Sequence, residues 1–133
     1  MPHENVNPPS LVRPSGFAHA TVAPAGCRIV HLGGQTAMDA HGSIVPGGIV
    51  EQFRQAFGNV LTALTAAGGT PDDLVSATIY LTDVPGYQAN GREIGRIWRE
   101  MAGTNYPAMA GIGITELWQP EALIEISAVA ALA

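Results

Sequence analysis

The 133-residue chain contains no lysine; its six basic side chains are all arginine. Without lysine there is no Schiff-base nucleophile, which excludes aldolases and pyridoxal-phosphate enzymes of the lysine type. A nucleotide-binding P-loop is excluded too, because its closing turn needs a lysine. The arginines form no run and the net charge is −5, so the basic patch expected of a nucleic-acid-binding protein is missing. Cys27 is the only cysteine. It can close no intrachain disulfide and build no cysteine-rich zinc site, and it reads as a small packing residue on a strand. The opening "MPHENVNPPSLVRPSG" has no apolar segment of the secretory kind, and no apolar run reaches the roughly 18 residues of a membrane helix. A cytoplasmic protein without membrane contact is expected. Charged residues make up only 13% of the chain against 47% hydrophobic, where about 25% charged is ordinary. So few charges cover a lone small domain poorly, and part of the surface is expected to be buried against further copies of the chain.

What is present reads as an alternation of strands and helices. Residues 1–133 show no internal repeat and no linker, and read as one domain in which 1–16, with four prolines, is an extended N-terminal arm. "FAHATVAPAGCRIVHLGGQTAM" reads as two strands joined by a turn at Ala23–Gly26. Whether His19 and His31 then face each other depends on a register that the sequence leaves open. A turn at Asp39–Gly42 returns the chain to "SIV", counted as a short third strand, and Pro46-Gly47-Gly48 breaks the pattern. From Ile49 the residues Phe53, Ala56, Phe57, Val60, Leu61 and Leu64 recur at helical spacing, and Gly68-Gly69 ends that helix. "LVSATIYLTD" is β-rich. Asp83 is a good N-cap for a second helix over Pro85–Met101, whose apolar side is Tyr87, Ile94, Ile97, Trp98 and Met101. Strands over Ala108–Ile114 and Ala122–Leu132 close the chain. The order predicts an α+β fold, a mixed β-sheet with two helices packed on one face.

Few residues offer chemistry. The zinc-protease, serine-hydrolase, dinucleotide and calcium-loop motifs are all absent. His3, His19, His31 and His41 are not at ligand spacing, so neither a metal nor a cofactor is expected. Glu125 stands out because it interrupts the otherwise apolar or tiny run Ala122–Ala133. On a strand it shares a face with Leu123, Ser127 and Val129. It is either a solvated edge residue or a carboxylate in a pocket, where it could serve as an acid/base. In the preceding strand, Met109, Gly111 and Gly113 share a face. Glycines inside a strand mark either the approach of a ligand or close packing of a helix or another subunit.

Taken in order, "GGQTAMD", "GNVLTALTAAG", "DDLVSATIYLTDV", "NYPAM" and "LIEISAVA" resemble the Rid/YjgF family of enamine/imine deaminases, formerly named endoribonuclease L-PSP. The resemblance covers roughly residues 15–132. It implies a chorismate-mutase-like fold, and a homotrimer whose sheets line a central barrel with small-molecule clefts between subunits. By position it implies that Glu125 orients the attacking water. It also implies that Gly33 and Gln35 of the glycine-glutamine element, with Phe17 in place of a tyrosine, border the substrate. Gly33 replaces the more usual serine, and Asn90 matches a structural asparagine. The main departure is Met109, which stands where deaminating members carry an arginine that grips the substrate carboxylate. Gly111 stands where many have cysteine. Arg92, Arg96 and Arg99 could supply the lost charge, but helical spacing alone does not aim them at the site. A more apolar pocket follows, with Phe17, Met109 and Trp118 near it.

Two readings result. In the first, the chain is a trimeric enzyme transforming an imine or enamine that lacks the usual α-carboxylate. In the second, it is a non-catalytic small-molecule binder on the same scaffold, since fold alone does not fix function. RNA cleavage, suggested only by the old family name, is opposed by the acidic charge.

Overall fold

The computed structural model describes residues 3–133. Four strands form the main sheet: β3 (Arg28–Gln35), β4 (Leu74–Leu81), β5 (Ala108–Gly113) and β6 (Ile124–Leu132), in the order β3-β6-β4-β5. β6 is antiparallel to both neighbours while β4 and β5 run parallel, so the sheet is mixed. The polypeptide between β4 and β5 makes the crossover, as a parallel pair requires. It carries α2 (Val84–Ala89) and α3 (Gly91–Ala102).

The core lies between one face of the sheet and the helices. Strand period two sends Ala77, Ile79 and Leu81 of β4 and Ile124, Ile126, Ala128 and Ala130 of β6 to that face, where all are buried. The stripe on α1 (Ile49–Ala66) meets them with Phe53, Ala56, Phe57, Val60 and Leu64. α3 adds Ile94, Ile97 and Trp98. Trp98 stacks on Phe57 with ring centroids 4.1 Å apart, which ties α3 to α1. α1 stops where expected. Gly68 takes φ 93°, a conformation glycine adopts without strain, and the Gly69 N–H donates back to the Leu64 carbonyl at 3.0 Å.

Three sequence expectations need correction. The two strands on either side of Ala23–Gly26 do not pair. β2 (Ala20–Val22) pairs instead with β1 (Glu4–Val6) of the arm, and β3 pairs with β6. His19 and His31 are therefore not cross-strand neighbours: the His19 ring is hydrogen-bonded to the Val12 carbonyl, and His31 lies opposite Val129. Long-range pairing with β6, which brings a full row of ladder bonds, outcompetes the local turn. Second, "SIV" forms only an isolated bridge, Met38 to Ile44. Third, the second helix is broken at Asn90, which ends α2 and begins α3. Its amide donates to the Gly86 carbonyl at 2.8 Å and so occupies an acceptor freed by the break. Asp83 is the N-cap foreseen, accepting from Gly86 N–H.

The second face of the sheet, built from Ser76, Thr78, Tyr80, Glu125, Ser127 and Val129, carries no helix among the described residues.

Candidate active site

The sheet separates the candidate residues into two groups. Tyr80 lies opposite Glu125 in the β4–β6 ladder, so Glu125 points to the helix-free face. Met109 lies beside Ala77, and Gly111 beside Ile79, both on the helix side. Glu125 and Met109 of one chain are therefore back to back across the sheet.

On the helix-free face the position of Glu125 is set by β3. Between Leu32, opposite Ala128, and Gln35, opposite Ile126, two residues of β3 face the single Ser127. This is a β-bulge, formed by Gly33 and Gly34. It turns Gly34 towards β6, and a Cβ there would collide with the Glu125 carboxylate. A Cβ on Gly33 would meet nothing. The glycine-glutamine element thus has a direct physical function: it opens the space that the half-buried carboxylate fills. Gln35 donates weakly to the Gly33 carbonyl at 3.5 Å across the bulge.

On the helix side the glycines of β5 differ from each other. A Cβ on Gly113 would stand 3.0 Å from Val84, so that glycine admits α2. A Cβ on Gly111 would meet no atom within 4 Å. Gly111 borders an open hollow of about 310 Å³, walled by Phe17, Tyr87, Met109, Ile79 and Leu81. The close-packing reading of a strand glycine holds at Gly113, while Gly111 borders open space. Phe17 reaches the hollow because the Ala18 N–H bonds the Pro107 carbonyl at 3.0 Å, holding the segment after the arm against the start of β5. Tyr87, not singled out from sequence except as a packing residue, has its phenol pKa pushed above the usual value by burial. Trp118 is not part of this wall: it is 90% exposed, on the loop between β5 and β6. An apolar residue in a loop carries no periodicity, so nothing in the sequence located it.

Side-chain amides of α1 clamp the segments around the site. Gln52 of α1 donates to the Glu121 carbonyl at 3.0 Å and accepts from Leu123 N–H at 2.8 Å, which fixes the entry to β6. Asn59 donates to the carbonyls of Thr36 and Met38, which fixes the exit from β3. Both sit on a helix read from sequence only for its apolar stripe. Among the described residues no group of three or more His, Cys, Asp or Glu side chains is placed to hold a metal ion, and no helix is long and apolar enough to cross a membrane.

A mixed sheet covered by helices on one side, with a carboxylate set beside a glycine bulge on the other, defines an α+β class of fold. Comparison with known proteins makes the family specific. The family model described as "Endoribonuclease L-PSP" matches residues 15–132, and the chain belongs to this family, also called Rid/YjgF. The 2-iminobutanoate/2-iminopropanoate deaminase of Capra hircus is 33% identical over 104 residues, 77% of this chain and 72% of that protein. The human protein of the same name is 32% identical over the same shares. A Rid-family protein of unknown function from Yersinia pestis, YyfB, superposes with TM-score 0.84 and 34% identity, covering 99% of this chain and 100% of that one. The structure of E. coli TdcF with bound serine, at 22% identity and TM-score 0.71, shares the fold.

Proposed function

We propose that the protein is a homotrimeric hydrolase of imine or enamine groups, acting on substrates other than the usual 2-imino acids, in a cleft completed by a second copy of the chain. The observation that carries this reading is the split of the site. Glu125 and the hollow beside Met109 lie on opposite faces of one sheet, so only a neighbouring chain can bring a carboxylate and a hollow together. The helix-free sheet face and the low charge of the chain support such an assembly. The names of the deaminase relatives support the reaction class.

In the reaction, Glu125 takes a proton from water as the oxygen attacks the C=N carbon. That proton passes to the imine nitrogen, which gives a carbinolamine; the carboxylate then carries the hydroxyl proton to the same nitrogen as the C–N bond breaks and the carbonyl forms, and ammonia and a carbonyl compound leave. A positioned carboxylate contributes about 10²–10⁴-fold to such a step. Met109 offers no charge to an α-carboxylate. A bidentate arginine–carboxylate contact in a buried site is worth roughly 2–5 kcal/mol, or about one and a half to three and a half powers of ten in affinity. The expected result is therefore faster ammonia release from imines without an α-carboxylate than from 2-iminopropanoate, and a partial gain on the latter in Met109→Arg. Efficient turnover of 2-imino acids by the unaltered protein would overturn the substrate assignment. No ammonia release from any imine would favour the binder.

A further inference from the structure

The hollow at Met109 continues into a second one of about 440 Å³, with Gly16, Tyr87 and Met109 common to both. Its far wall is α3, which contributes Arg92, Arg99 and Trp98. Positions 92 and 99 are seven residues apart, two turns, and therefore lie on one side of the helix. Arg96 lies between them on a different side and is held by Glu93 and Glu100, while Arg54 meets Glu100 at 3.6 Å. Neither Arg92 nor Arg99 has a carboxylate partner among the described residues, and no acidic side chain lines the hollow.

Arg99 lies in the last turn of α3, where the dipole favours a cation, but two details tie the pair to the hollow. Arg92 is in the first turn of α3, where the positive end of the helix dipole disfavours a cation. Arg99 lies back over Gly95: a Cβ at 95 would stand 3.4 Å from the Arg99 Nη1. Glycine inside a helix costs about 1 kcal/mol relative to alanine, and here it leaves the floor of the hollow open beside the charge.

We propose that this hollow is an anion subsite, in which Arg92 and Arg99 hold a carboxylate or phosphate whose apolar body lies against Tyr87, Trp98 and Met109. Resting on the hydrolase reading above, it names the substrate class: an imine with an acidic group set away from the reacting carbon. The charge absent at position 109 is supplied from the helix, further out.

Anion binding can be read without turnover. Trp98 lines the subsite and the only other tryptophan, Trp118, is exposed, so in Trp118→Phe the fluorescence reports on Trp98 alone. The probes are 3-phenylpropanoate, phenyl phosphate, and the uncharged 3-phenylpropanamide. Both acids should perturb Trp98 and the amide should not, and the tighter acid tells carboxylate from phosphate. Arg92→Gln and Arg99→Gln should each weaken binding by roughly tenfold or more, the usual scale for a hydrogen bond to a charged group. Arg96→Gln should leave binding unchanged, and Glu125→Gln should not weaken it. Equal binding of acid and amide, unaltered affinity in the Arg92→Gln/Arg99→Gln double variant, or no response to either acid at millimolar concentration would overturn the subsite. Loss of turnover in Glu125→Gln with anion binding intact separates this proposal from the hydrolase reading.

Discussion

At the residue scale the most informative contact is between Gly34 and the Glu125 carboxylate. Gly34 has no left-handed backbone angle, so alanine fits there conformationally. Its methyl group would meet the far end of a flexible side chain, which can move aside. Gly34→Ala should therefore change stability by no more than about 1 kcal/mol. If the carboxylate position matters to the reaction, the rate should nevertheless fall towards that of Glu125→Gln, by roughly 10² or more. Thermal unfolding and ammonia release on the same samples check both halves. Full activity in a well-folded Gly34→Ala protein would mean that the carboxylate does not work from this position. The glycine pair was visible in the sequence, and so was the odd carboxylate. Their contact was not, because it depends on a bulge that shifts register by one residue in the middle of a ladder.

At the scale of elements, α1 does two jobs with two faces. Its apolar stripe builds the core and was legible from spacing alone. Its buried polar residue, Gln52, holds the entry to β6 through both amide atoms. Gln52→Ala should leave the Leu123 N–H and the Glu121 carbonyl without these partners and cost about 1–3 kcal/mol. Urea denaturation should show a lower midpoint with an unchanged slope, and because β6 carries Glu125, turnover should suffer as well. A midpoint like that of the unaltered protein would show that water replaces the amide at little cost. The break between α2 and α3 has a similar polar origin, in the Asn90 amide at the Gly86 carbonyl. Helical periodicity runs straight through the break, which is why one continuous helix was expected.

At the scale of the whole molecule, one sheet face is packed under helices and the other is bare. If three copies close these bare faces around a barrel, sedimentation at micromolar concentration should give about three times the 13.8 kDa chain mass. A stable monomer would remove the shared cleft and the proposed reaction together. Charge substitution on the bare face, Ser127→Arg, should dissociate the assembly, because an unpaired charge buried between chains is strongly unfavourable. Light scattering reads the outcome. An unchanged assembly would place the interface elsewhere.

The sequence alone determined the class of fold, the span of α1, its glycine stop, the Asp83 cap and the oddity of Glu125, Met109 and Gly111. Most of these rest on local rules of period, capping and side-chain chemistry, and the departure at Met109 rests on the family resemblance. The tertiary structure decided which strands pair, that β2 joins the arm and leaves β3 to β6, and that Glu125 and Met109 face opposite ways. It also decided that Trp118 is far out in solvent, and that Arg92 and Arg99, not Arg96, line a hollow. Each of these depends on contacts between residues distant in sequence. There the hydrogen bonding and burial gained by one pairing are weighed against all others, and no local pattern records the result.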